Sequence, residues 1–171
     1  MSKKLTTIMA DIVRDAGGEV VGRTKLQKLT YLLVASGLED DLPFVYKHYG
    51  PYCEAAAVAT REAGLLGLLR EREDSTSWGG FYSTYSVTGV EAVGVSPARL
   101  TMAAIANAAD AVELELAATA LFLSKEGCVT PWVETERRKP EKANNGRLER
   151  AKVLYQRFVE VESPSPLPKI N

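Results

Sequence analysis

The sequence predicts a mainly α-helical fold with a winged helix-turn-helix-like core, one β-hairpin and a helical C-terminal extension. Small and apolar residues recur at helical spacing in three segments before residue 64. Residues 65–72 and 81–87 then read as two strands, the second rich in aromatic and β-favouring residues. Alanine-rich and periodic segments after residue 97 predict further helices. Three helices followed by a hairpin is the order of a winged helix.

The first two helices are bounded by glycines. Apolar residues spaced as on one helical face between Leu5 and Val13 predict the first helix, which the glycine pair at 17–18 ends. Thr24 is the predicted N-cap of the second helix, because its hydroxyl can accept from a free backbone N–H. Gly37 is the predicted stop of that helix.

An aromatic strand and a third helix follow. Residues 44–49 alternate imperfectly and are rich in aromatic side chains, which predicts a short strand. Pro51 favours a turn and also the first position of a helix, so the third helix is predicted over 52–63. The two strands of the hairpin are predicted at 65–72 and 81–87, with a longer loop between them.

The C-terminal extension is predicted to be helical. Pro97 opens it, and the alanine-rich stretch 103–120 reads as one bent helix or two. Pro131 begins a short helix that Pro140 must end, since proline cannot continue the hydrogen-bond pattern. Apolar residues spaced over 148–158 mark the last helix.

Length, charge and hydropathy restrict the function. A chain of 171 residues fits one domain, predicted at 1–162, with residues 163–171 as a proline-rich mobile tail. The net charge of −1 gives no global attraction to nucleic acid or anionic membrane. No apolar run approaches the ~18 residues that read as a transmembrane helix. The N-terminus is not that of a signal peptide, so a cytoplasmic location and no membrane association are expected.

The sequence predicts no enzymatic activity. Cys53 and Cys128 have neither zinc nor redox spacing, so no metal is expected. His48 lies close to Cys53 along the chain, but a catalytic pair needs an orienting third group and an oxyanion site, and the sequence indicates neither. There is no phosphate loop and no dinucleotide motif, so no cofactor is expected.

Two motifs resemble a known family. The residues Gly-Arg-Thr-Lys-Leu-Gln-Lys-Leu at 22–29 and Tyr-Gly-Pro-Tyr at 49–52 are similar to the YwgA-like group of uncharacterised bacterial proteins. They are also similar to the related Panacea domain of SocA-like antitoxins. The resemblance covers 22–69 well and 5–158 loosely. It implies a defence, prophage or toxin–antitoxin setting within mobile genetic elements, with a toxin or defence component as protein partner, and it supplies no catalytic residue.

Candidate binding residues fall into two sets. The set expected to contact a protein partner joins the cations of the second helix to the aromatic strand: Arg23, Lys25, Lys28, Tyr46, His48 and Tyr49. The set for an alternative nucleic-acid contact is Arg61, Arg70, Arg72, Arg137, Arg138 and Lys139. Solvated charges and core aromatics remain open as the simpler interpretation of both sets.

Two functions are therefore expected, a favoured one and an alternative. The first is a non-enzymatic protein-binding regulatory module of a defence, prophage or toxin–antitoxin type system. The alternative is a winged-helix DNA-binding transcriptional regulator, acting as a homodimer. The third helix carries Glu54 and Glu62 beside Arg61, and the hairpin loop at 74–80 has no cation, so both features favour protein over DNA.

Overall fold

The computed structural model describes residues 3–88 and 91–171 and shows a mixed α/β fold. The helices are α1 (Leu5–Asp15), α2 (Arg23–Ala35), α3 (Glu54–Leu65), α4 (Pro97–Ala108), α5 (Ala111–Lys125), α6 (Pro131–Arg138), α7 (Pro140–Ala143) and α8 (Arg147–Val159). The strands are β1 (Glu19–Val21), β2 (Val45–Lys47), β3 (Gly50–Tyr52), β4 (Arg70–Ser75) and β5 (Phe81–Ser86). Within the described residues, no helix is long and apolar enough to cross a bilayer.

The strands form two antiparallel sheets. The larger has the order β1-β5-β4, with Val20 opposite Tyr85 and the β4–β5 hairpin paired from Arg70–Ser86 to Ser75–Phe81. The prediction of that hairpin is confirmed, although α3 extends further than expected and β4 begins only at Arg70. Strand β1 was not predicted, because three residues are too few to establish a period along the chain.

The prediction of a single hairpin is wrong, because β2 and β3 form a second one. Gly50 turns the chain with a φ of +88°, a conformation that glycine adopts without steric cost. Pro51 then lies in β3 opposite Tyr46, in a two-stranded sheet where a missing N–H is tolerated. Helix α3 therefore begins at Glu54 rather than at residue 52.

The alanine-rich stretch forms two helices, one of the two alternatives left open by the sequence. Ala109 is extended, and the carboxylate of Asp110 accepts from the backbone N–H groups of Val112 and Glu113. This N-cap starts α5, which becomes the central helix and packs against α2, α6 and α8.

The core is built around α2 and α5. Leu29, Leu32 and Leu33 of α2 are fully buried, as are Leu116 and Leu121 of α5. Both helices are enclosed by neighbouring elements. Helix α2, for example, packs against α4, α5 and β3. Because α2 is buried on most of its circumference, it offers little surface to a partner.

The proline-rich C-terminus was predicted to be a mobile tail, but it lies against the core. The backbone N–H of Ser165 donates to the carbonyl of Ser36 at 2.9 Å. The hydroxyl of Tyr155 donates to the carbonyl of Pro168 at 2.5 Å, and Leu167 is buried. The segment docks because backbone hydrogen bonds and one apolar anchor fix it without any helical structure.

Candidate binding surfaces at the two hairpins

The β2–β3 hairpin is held by side chains of α2. The ammonium of Lys28 donates to the carbonyl of Pro51 at 2.8 Å. The amide of Gln27 both donates to the carbonyl of Cys53, at 3.0 Å, and accepts from its N–H, at 2.9 Å. The motif at 22–29 thus binds the motif at 49–52 and the residue after it. Gln27 and Lys28 therefore have a structural role.

A buried ion cluster lies beneath this hairpin, formed by Lys28, Glu115, Lys139 and Lys142. Lys142 donates to both oxygens of Glu115 at 2.9 and 2.7 Å, and the Lys139 ammonium lies 3.2 Å from one of them. Lys139 also donates to the carbonyl of His48 at 2.8 Å. Lys28, Glu115 and Lys139 are each less than 5% exposed. Two ammonium groups therefore contact one carboxylate and a third, Lys28, is near enough to be influenced by it, so the cluster carries excess positive charge.

Burial is the main cause of the shift in the pKa of Lys28. It lowers the pKa of the Lys28 ammonium to about 8, since the charged form loses hydration. The Glu115 carboxylate opposes this shift, while Lys139 and Lys142 add to it by repulsion.

The lowered pKa of Lys28 predicts a pH effect on stability. Between pH 8 and 10 the unfolded chain keeps the Lys28 proton and the folded chain releases it, so the free energy of unfolding rises with pH. From pH 7.5 to 9.5 we expect this group to contribute a rise on the order of 1–2 kcal/mol. Urea unfolding of the native chain and of Lys28→Met at both pH values measures it, and the variant should lack the rise. Equal pH profiles for the two proteins would contradict the burial argument.

A basic aromatic surface lies above the cluster, formed by Tyr46, Lys47, His48, Arg138 and Lys139. These residues line an open depression of about 540 Å³ between β2 and the end of α6, and the exposed ammonium of Lys47 lies 4.7 Å from the centre of the Tyr52 ring. The Arg138 guanidinium lies 4.9 Å from the centre of the Tyr46 ring, and the Lys139 ammonium lies 5.8 Å from it. No carboxylate is among these lining residues.

Two residues flank this surface. Tyr49 is 58% exposed, and the Lys142 ammonium lies 4.5 Å from the centre of its ring. Glu134 accepts from the guanidinium groups of Arg137 and Arg138 at 2.6 to 2.9 Å. These hydrogen bonds hold the pKa of Glu134 at about 2, so the carboxylate stays ionised and fixes Arg138 beside Tyr46.

A groove of about 530 Å³ continues from Tyr49 toward the larger sheet. Arg23, Lys28, Tyr52 and Arg61 contribute to its walls. Arg23 is exposed, and its guanidinium lies within 4.0 Å of two carboxylates of β4, Glu71 and Glu73. The groove thus has charges of both signs, unlike the basic aromatic surface.

The β4–β5 hairpin presents the other notable surface. Its aromatic tip consists of Trp78, Phe81 and Tyr82, which are 84%, 71% and 40% exposed. The loop from 75 to 80 is described in full and has no lysine or arginine. The nearest cation along β4, Arg72, is bound to Asp74 at 2.9 Å. The tip is therefore apolar with acidic neighbours.

The residues predicted to contact a protein separate in the structure. Arg23 is exposed, but Lys25 donates to the backbone carbonyls of Asn107 and Ala109 at the end of α4, at 3.0 and 2.8 Å. Lys28 is only 1% exposed, so placing it on a contact surface was wrong. The reason is that its long side chain reaches inward to satisfy the hairpin backbone. His48 and Tyr49 are exposed, and Tyr46 is half-buried against Phe122.

The residues proposed for nucleic acid form two groups. Arg137, Arg138 and Lys139 lie at the end of α6, and the last two come beside Tyr46 and His48. The others, Arg61 on α3 and Arg70 and Arg72 on β4, are exposed, and Arg61 lines the groove. Lys139 is itself buried, so within the first group the two arginines supply the exposed charge.

Sequence reasoning missed the aromatic tip. Trp78 was taken only as part of a loop, although a tryptophan within a polar loop is a signal for an exposed anchor. It also missed Lys47, and it could not place Lys142 beside Tyr49, because that contact depends on the packing of α7 against α5.

Comparison with known proteins gives one informative relationship. No protein-family model matches the chain. The chain is 32% identical over 129 residues to "Uncharacterized protein YwgA" of Bacillus subtilis (strain 168), an alignment that covers 70% of this chain and 72% of that protein. At this identity and coverage, the chain belongs to the YwgA family.

Proposed function

We propose that this YwgA family member is a non-enzymatic protein-binding regulatory module whose aromatic tip holds the partner. The supporting observation is the exposure of Trp78 and Phe81 at the end of the β4–β5 hairpin. Exposed aromatic side chains grouped in this way are typical of protein interfaces, where tryptophan and tyrosine contribute much of the binding energy. Burying these rings against a partner would release the water that now covers them.

The charges near the tip favour a protein over duplex DNA. A DNA-binding wing normally carries lysine or arginine to meet phosphate, whereas beside this tip β4 carries Glu73 and Asp74, opposite Ser83 and Tyr82. On α3, Glu54 and Glu62 are exposed on either side of Arg61 in sequence. Phosphates approaching this face would meet several carboxylates, so the transcriptional-regulator alternative receives no support here.

We also propose a winged-helix-like core and a setting in a defence, prophage or toxin–antitoxin system. The order α1, β1, α2, α3 and the β4–β5 hairpin, with β1 paired to β5, supports the first inference. The second depends on the similarity of 22–29 and 49–52 to Panacea domains, in which case the partner is a toxin or another defence component. Relative to a simple winged helix of three helices and one hairpin, the β2–β3 hairpin between α2 and α3 is an insertion.

Site-directed photocrosslinking in the source cell tests the protein-binding proposal. A photoreactive phenylalanine analogue in place of Trp78 should yield a crosslinked protein that the same analogue does not yield at Val153. Val153 is a suitable control because it is also a large exposed apolar residue, 67% exposed, but lies on α8.

The purified partner then gives a quantitative prediction. Trp78→Ala with Phe81→Ala should weaken its binding at least about 30-fold, because the loss of even one aromatic anchor costs about 2 kcal/mol. Val153→Ala should leave affinity within about twofold. Identical crosslinks at both positions, or unchanged affinity of the double variant measured by calorimetry, would overturn the proposal.

A further inference from the structure

The basic aromatic surface differs from a protein interface in composition. Its lining consists of Tyr46, Lys47, His48, Arg138 and Lys139, with no aliphatic side chain among them. Protein interfaces have an apolar centre depleted in charge, whereas nucleic-acid interfaces are polar and strongly positive. The surface therefore suits a polyanion, and it is separate from the aromatic tip on β4–β5.

The local charge is positive despite the net charge of the chain. The exposed cations are Lys47, Arg137 and Arg138, and the buried ion cluster beneath contributes two further positive charges beyond Glu115. The single carboxylate of Glu134 neutralises only one of the two positive charges of Arg137 and Arg138. Glu136 lies two residues from Arg138 on the helix, which places it on a different face.

The aromatic side chains select a single strand rather than a duplex. Tyr49 is 58% exposed, and His48 and Tyr46 adjoin it along the same hairpin. Arg138 and Lys142 lie against the rings of Tyr46 and Tyr49, and Lys47 lies against the ring of Tyr52, so each of these cations has an aromatic ring beside it. Unpaired bases can stack on such rings while phosphates contact the cations, but the bases of a duplex are already stacked.

We propose that the basic aromatic surface binds single-stranded nucleic acid, with Lys47 and Arg138 contacting phosphates and Tyr49 stacking on a base. The open shape of the depression suits a passing strand rather than an enclosed mononucleotide. This binding is additional to the proposed protein-binding function and uses a different hairpin, so each can fail without the other.

Fluorescence anisotropy with the full chain and a fluorescein-labelled oligothymidylate of about 15 nucleotides tests the proposal. We expect micromolar affinity at low salt and a steep loss of affinity as salt rises. Lys47→Glu with Arg138→Glu should weaken binding at least about tenfold. Tyr49→Ala should weaken it several-fold while leaving the salt dependence unchanged, because stacking displaces no counterions.

The control is a charge reversal of equal size on another face. Lys152→Glu with Arg157→Glu on α8 changes net charge by the same amount and should leave the affinity within about twofold. Circular dichroism confirms that each variant is folded. Equal weakening by both charge reversals, tighter binding of a duplex of the same length, or complete displacement of the oligonucleotide by an equal charge concentration of polyglutamate would each overturn the proposal.

Discussion

Replacing Glu115 with glutamine should lower the free energy of unfolding by about 3–5 kcal/mol. The substitution keeps the shape of the side chain but removes the negative charge shared by Lys139 and Lys142, which lie 3.2 and 2.7 Å from it. Lys28 loses the attraction that opposes its desolvation. Buried ammonium groups without a counter-ion are expensive, so the β2–β3 hairpin above them should open first.

Equilibrium urea unfolding at pH 7.5 measures this loss, and the neighbouring carboxylate supplies the control. Glu113 lies two residues earlier on α5 and is bound at 2.7 Å to the exposed guanidinium of Arg150. Glu113→Gln should cost less than about 1 kcal/mol, because solvent screens that pair. Similar losses of stability in Glu115→Gln and Glu113→Gln would show that burial does not determine how much each carboxylate contributes to the free energy of unfolding.

A second variant tests whether the charge imbalance causes the loss of stability. Lys142→Met added to Glu115→Gln removes one of the unpaired ammonium groups and should recover part of the stability. We expect a double-mutant cycle to give coupling of at least about 1 kcal/mol between the two positions. Additive effects would mean that the charge imbalance does not cause the loss.

Replacing Gly50 with alanine should destabilise the fold by about 2–4 kcal/mol. The φ of +88° is costly for any residue with a β-carbon, and a β-carbon here would lie 2.6 Å from Oγ1 of Thr119. Gly50 is buried between α5 and the side chain of Lys28, so the added β-carbon would displace the Thr119 hydroxyl. Thermal and urea unfolding measure the loss.

Thr119→Ala separates the steric part of this loss from the backbone part. Among the described residues, the Thr119 hydroxyl is buried with no hydrogen-bond partner, so removing it alone should change stability by less than about 1 kcal/mol. Combined with Gly50→Ala, it removes the close contact and should recover roughly half of the loss, leaving the backbone strain. If the double variant recovers no stability, the whole loss comes from the backbone conformation at Gly50 and none from the contact with Thr119.

Local sequence signals predicted most of the helices. Leu5 and Val13 fall within α1, Pro131 is the first residue of α6, and 148–158 is spanned by α8, because each pattern is long or is bounded by a proline or glycine. The β2–β3 hairpin could not be predicted in the same way. Pro51 has one preferred φ that suits both a helix start and a short strand, and the choice depended on a lysine and a glutamine from α2.

The candidate sites show the same division. The sequence identified His48, Tyr49 and Arg138 as binding candidates and gave the hairpin loop its apolar and acidic character. It could not assign Lys28 to the interior, since a lysine on a helix is normally exposed. The carboxylate and carbonyls that stabilise this ammonium come from distant parts of the chain.

The sequence by itself thus determined most of the helical segments, the family and the residue types available for binding. Only the tertiary structure decided which cations are buried and which face outward, because that depends on where Glu115 and the backbone carbonyls of the β2–β3 hairpin lie. It also brought Arg138 beside Tyr46, across 92 residues of chain. Charge and aromaticity are properties of single residues, but a surface that combines them is made by packing.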